Sequence, residues 1–97
     1  MKKIVLREHE KLIGKSFGED VIIVMDWNSS VVGCTFYCNV VIRVTDDVRN
    51  AVGSALEWLQ FPMFVNNQVW GKLTCDKHVI VSHNTVLGLK KLSKVIR

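Results

Sequence analysis

The chain has one proline, one tyrosine and three cysteines in 97 residues, and no acidic residue after Asp76. Each scarcity removes a class of protein. Without a Pro- or Gly-rich tract there is no linker. No low-complexity segment or internal repeat is evident either, so residues 1–97 read as a single compact domain. No apolar run approaches the ~18 residues that a membrane span requires. Met1-Lys2-Lys3-Ile4-Val5-Leu6 begins like a secretory leader, but Arg7, Glu8, His9, Glu10 and Lys11 interrupt the apolar core that a leader needs. An odd number of cysteines argues against a disulfide framework and for a reducing compartment. A cytoplasmic location is expected.

What is present is mostly apolar. Hydrophobic residues make up 48% of the chain, and the mean hydropathy is slightly positive. A chain this short covers its apolar surface poorly. Either a well-covered sheet is expected, or an interface with a partner or a second copy. The net charge of +4 is modest. It gathers at the ends: Lys2, Lys3, Arg7, Lys11 and Lys15 near the start, and Lys90, Lys91, Lys94 and Arg97 in the tail.

The strongest local pattern runs from Val32 to Val44. The even positions Val32, Cys34, Phe36, Cys38, Val40, Ile42 and Val44 are all apolar, whereas the odd positions are mostly polar or amphipathic. This alternation predicts one long half-buried strand with both cysteines on its inner face. Four strand residues separate them by ~13 Å, beyond the ~7 Å Cα spacing that a disulfide tolerates. Cys34 and Cys38 therefore read as small core residues, neither a redox pair nor half of a metal site.

Strands are also expected at Lys2–Leu6 and at Val21–Trp27, the latter turning through Asn28-Ser29-Ser30 into the long strand as a hairpin. Residues 7–19 read as a loop, with a short helical turn around 7–13. Asp46 and Asp47 suit the first turn of a helix, capped by Thr45 or Asp46. Val48, Ala51, Val52, Ala55, Leu56 and Leu59 recur at helical spacing up to the stop at Pro62. A second hairpin is expected from Met63 to Thr74 through Asn66-Asn67. A strand over His78–Ser82 and a final helix from Asn84 or Thr85 to about Ile96 complete the order β-β-β-α-β-β-β-α. The expected fold is α+β: a small antiparallel sheet of hairpins with two helices packed on one face.

Gly14-Lys15-Ser16 resembles the end of a phosphate-binding loop, but the earlier glycine of that motif is replaced by His9 and no helix follows. Asp76, His78 and His83 are the best candidates for acid–base or metal-dependent chemistry, although His83 has the opposite strand parity to His78. No catalytic motif, metal-ligand spacing or cofactor signature is recognised.

Two binding patterns remain. Tyr37, Arg43, Met63, Phe64 and Trp70 are aromatic, Met or Arg residues of the kind that anchor protein interfaces. Lys72, Lys90, Lys91, Lys94 and Arg97 could neutralise phosphates from a basic C-terminal helix, with the Tyr37/Arg43 sheet face as a stacking platform. The sequence therefore predicts a small non-enzymatic binding protein that docks on a macromolecule, as an inhibitor, adaptor or anti-host accessory factor. A protein partner is preferred, and a homodimer is a further expectation. Nucleic-acid binding is the alternative and a metal-dependent enzyme the third reading. No cofactor is implied.

Overall fold

The computed structural model describes residues 1–50, 60–88 and 94–96. The chain is not an antiparallel α+β sandwich. It winds as a three-sided β-solenoid. The first face stacks β1 (Lys2–Leu6), β4 (Val21–Met25), β7 (Val40–Val44) and β10 (Leu73–Cys75). The second stacks β2 (Lys11–Ile13), β5 (Ser30–Val32), β8 (Met63–Val65) and β11 (Ile80–Ser82). The third stacks β3 (Ser16–Phe17), β6 (Thr35–Phe36), β9 (Gln68–Val69) and β12 (Asn84–Val86). Every pairing within these stacks is parallel. Only β13 (Lys94–Ile96), which pairs with β12, runs antiparallel. A parallel pair needs a long return connection; here the other two faces supply it.

The core is built from columns of equivalent residues. Ile4, Ile23, Ile42 and Cys75 occupy one column, and Leu12, Val31, Phe64 and Val81 another. Phe17, Phe36, Val69 and Val86 form a third. Phe17 stacks on Phe36 with ring centroids 5.1 Å apart, and Phe36 lies 5.9 Å from Phe64. Each coil thus covers the apolar side chains of the next, which is why no single coil needs to bury its own.

The corners repeat as well. Between the second and third faces, Gly14, Gly33, Asn66 and His83 all adopt positive φ, at 64°, 65°, 56° and 56°. Glycine and asparagine tolerate this left-handed conformation best. At the corner between the first two faces, His9 and Asn28 take φ of 66° and 60°. Just past the Gly33 corner, buried carboxamides stitch the coils together. The Cys34 N–H donates to Asn67 Oδ1 at 2.8 Å, and Asn67 Nδ2 donates to the Val31 carbonyl at 3.0 Å. One coil on, Asn84 Oδ1 accepts the Asn67 N–H and Asn84 Nδ2 donates to Phe64 O.

The third coil is enlarged. Four residues, 7–10 and 26–29, join the first face to the second in the first two coils, whereas residues 45–62 do so in the third. This insertion holds α1 (Asp46–Arg49), with Thr45 at its N-cap and Val48 buried. The rest of the helix expected there lies outside the described residues. The C-terminal helix is overturned: Asn84–Val86 and Lys94–Ile96 form an antiparallel strand pair. Both expected hairpins are solenoid corners, since β4 and β5 lie on different faces, as do β8 and β9. The expected loop 7–19 contains β2 and β3. The long strand is three short ones, β5, β6 and β7, bent at Gly33 and again at residues 37–39.

Candidate functional site

On the outer side of the third face, Tyr37, Trp70 and Leu87 occupy equivalent rungs. The Tyr37 N–H donates to Phe17 O, Trp70 to Phe36 O and Leu87 to Val69 O, each at 2.8 Å. This ladder holds the Tyr37 and Trp70 rings stacked, with centroids 6.1 Å apart and planes 23° from parallel. Tyr37 remains 61% exposed and Trp70 46%. The neighbouring outward column is Thr35, Gln68 and Thr85. This neighbouring column is polar and uncharged.

The corner below the rings is tight. Asn39 donates its N–H to Asp20 Oδ1 at 3.0 Å and accepts the Lys72 N–H through Oδ1 at 2.9 Å. Gly71 passes so close to this corner that a Cβ would run into the Cys38 carbonyl and lie 2.6 Å from Asn39 Oδ1. Trp70 is thus followed by a residue that cannot carry a side chain, and Lys72 emerges exposed at the edge of the face.

The other candidate residues do not join this pair. Arg43 is exposed on the first face, beyond the 37–39 corner. Met63 is half-buried on the outside of the second face, and Phe64 beside it is fully buried in the core. Lys94 lies on β13, in a strand and not a helix. Lys90, Lys91 and Arg97 lie outside the described residues.

Asp76 and His78 do converge. Asp76 Oδ1 accepts the His78 N–H at 2.8 Å and lies 2.7 Å from its Nδ1. Burial pushes the Asp76 carboxyl up, but the His78 hydrogen bonds and the charges of His78 and Arg49 outweigh it and hold the group below the ordinary value. The Phe61 ring lies 6.3 Å from the imidazole. His83 is elsewhere, at the corner between the second and third faces, exposed and with Nδ1 2.6 Å from Ser82 Oγ. The Asp76–His78–His83 triad is therefore not assembled. Among the described residues no group of three or more His, Cys, Asp or Glu side chains is placed to hold a metal ion.

Cys34, Cys38 and Cys75 are all free thiols. Burial raises the pKa of each, and for Cys75 desolvation together with the Asp76 charge pushes it up to about 11. Cys34 Sγ lies 3.5 Å from Leu12 O, where Asn67 and Asn84 place their amide donors in the next two coils. Its role is that of a weak member of the ladder.

Sequence reasoning missed Thr35, Gln68, Thr85 and Leu87 as companions of the aromatic pair. The signal is there, in GKSF, GCTF, NNQV and HNTV starting at 14, 33, 66 and 83. Each is a corner residue, a ladder position, an outward polar residue and an inward apolar one. No helix among the described residues is long and apolar enough to cross a membrane. Comparison with protein-family models, with curated proteins and with solved structures gives no match.

Proposed function

We propose that the chain is a non-catalytic docking module that binds a protein partner through the outer side of the third face. One observation carries this reading: Tyr37 and Trp70 are stacked on one another and yet largely exposed. Two large rings held by backbone ladder bonds lose little further freedom on binding, and rigid aromatic anchors dominate interface energetics. Their surroundings, Thr35, Gln68 and Thr85, lack charge, as the centres of protein interfaces do. Nucleic-acid binding has less support, because Arg43 faces another side of the solenoid. The cytoplasm is the proposed location, supported by three free thiols.

The test is an interface scan. Tyr37→Ser and Trp70→Ser should each weaken capture of a partner by about thirtyfold, the effect of removing a hot-spot ring. Arg43→Gln should change it little. Equal losses from all three would remove the third face as the docking surface, and capture of a second copy of the chain alone would identify the partner as itself.

A further inference from the structure

Beyond that reading, a second surface of the solenoid carries a cleft. An open cleft of about 430 Å³ lies where the corner between the first two faces meets the outside of the second. Its size falls within the usual range for small-molecule sites. The cleft spans three coils, and the one lysine in its lining, Lys11, lies in the first. In the first coil it is bounded by His9 and Lys11. The second and third coils contribute the apolar Val32, Val65, Met63 and Phe61, and the polar Asn28, Ser29 and Gln60 at the corner. Ser30 lies between, in the same outward column as Lys11 and Met63.

The fold holds this shape firmly. The His9 N–H donates to Trp27 O at 3.1 Å and the Asn28 N–H to Gln60 O at 2.8 Å. Asn28 Oδ1 accepts the Gln60 N–H at 2.9 Å, fixing the point where the third-coil insertion returns to the solenoid. Trp27 packs on Phe61 with centroids 5.2 Å apart. No carboxylate lines the cleft. Glu8 pairs with His9 at 3.2 Å, and Glu10 accepts the Arg7 N–H. Lys11 makes no ion pair among the described residues.

We propose that this cleft binds a small amphipathic carboxylate, its anionic head at Lys11 and its apolar body along Val32, Met63, Val65 and Phe61. A cation and apolar side chains in one cleft select a ligand with both characters. A neutral apolar molecule would leave Lys11 unmatched, and a polyanion would set charge against the apolar side chains.

The test is an NMR titration of the protein with 4-phenylbutyrate, and in parallel with 4-phenylbutyramide, which keeps the shape and loses the charge. Saturable shifts confined to cleft residues are expected for the acid, with the amide about tenfold weaker, as expected for loss of a charge-assisted contact. Lys11→Gln should abolish that preference while leaving the amide's binding unchanged, and Val32→Glu should weaken both compounds. Lys11 and Val32 point outward, so the fold should survive both changes, checked by an unaltered spectrum elsewhere. No saturable shifts with either compound, equal affinity for acid and amide, or an undiminished preference in Lys11→Gln would overturn the proposal. Tyr37→Ser should leave the titration unaltered, so failure here and failure of the docking surface are separable.

Discussion

The backbone N–H of Asn67 donates to the side-chain oxygen of Asn84 at 2.9 Å, one coil further along, and both residues are fully buried. Each carboxamide both accepts from and donates to the preceding coil, and Asn67 Nδ2 also donates to Asn84 Oδ1 at 3.1 Å, so two asparagines fix the register of three successive coils. Asn67→Ala would take the side-chain acceptor from the buried Cys34 N–H and remove a donor from both the Val31 carbonyl and Asn84 Oδ1. Each orphaned group costs about 1–3 kcal/mol. A loss of about 2–4 kcal/mol in unfolding free energy is expected from urea denaturation. A loss no larger than that of an exposed control such as Gln68→Ala would mean that the ladder is not holding the coils.

Gly71→Ala should be nearly as damaging, because its Cβ would meet the Cys38 backbone, which cannot swing aside as a side chain could, and Asn39 Oδ1, which is held by the Lys72 N–H. A cost of at least ~2 kcal/mol is expected, and with it a change in the relative orientation of the Tyr37 and Trp70 rings. Gly33 gives the contrasting case. Its Cβ would meet open space, and only the φ of 65° disfavours a side chain. Gly33→Asn should therefore cost less than Gly33→Ala, since Asn66 already takes this conformation at the equivalent corner. Thermal denaturation of the two variants orders them; the reverse order would exclude the corner conformation.

The Asp76–His78 contact makes stability depend on pH. The folded carboxyl titrates below its ordinary value of 3.8, so its contribution is complete above that value and is lost as pH falls through the lower folded one. Asp76→Asn should lower the denaturation midpoint at about pH 5, and the gap to the unaltered protein should close as the solution is acidified towards about pH 2. A gap independent of pH would show that the carboxylate charge plays no part.

The alternation read from Val32 to Val44 was half informative. Cys34, Phe36, Cys38, Val40, Ile42 and Val44 are all buried, as the pattern demands. Val32 instead points outward and Val31 inward, because the left-handed corner at Gly33 resets the parity. The inward side of a solenoid preserves alternation around a bend, so a coil resembles one straight strand. The sites divide in the same way. Tyr37 and Trp70 are outward-facing residues whose exposure their local pattern predicts, but their stacking depends on a 33-residue offset between rungs. That offset is hidden by the enlarged third coil, which breaks the 19-residue spacing of the first two. The helical signal after Asn84 failed for a different reason: Val86 is inward-facing in a rung stacked on Val69, and cross-coil pairing overrides a helical period.

Thiol chemistry gives an independent check on the core. Cys34 and Cys38 are buried, and Cys75 is half-buried with its thiol pushed up to about 11. Labelling by a thiol reagent at about pH 8 should be slow at all three sites in the folded protein and rapid after denaturation, since the thiolate is the reactive form. Fast native labelling of Cys34 would place it outside the solenoid.

Docking through the aromatic pair is tested most directly by comparative capture from a cytoplasmic extract with and without nuclease treatment. The unaltered chain, Tyr37→Ser/Trp70→Ser and Arg43→Gln are immobilised side by side, and retained proteins are quantified. A partner held by the unaltered chain and by Arg43→Gln, and lost from the double variant while its circular dichroism is unchanged, is the predicted result. Retention that is the same for all three chains, or that disappears entirely with nuclease, would contradict it.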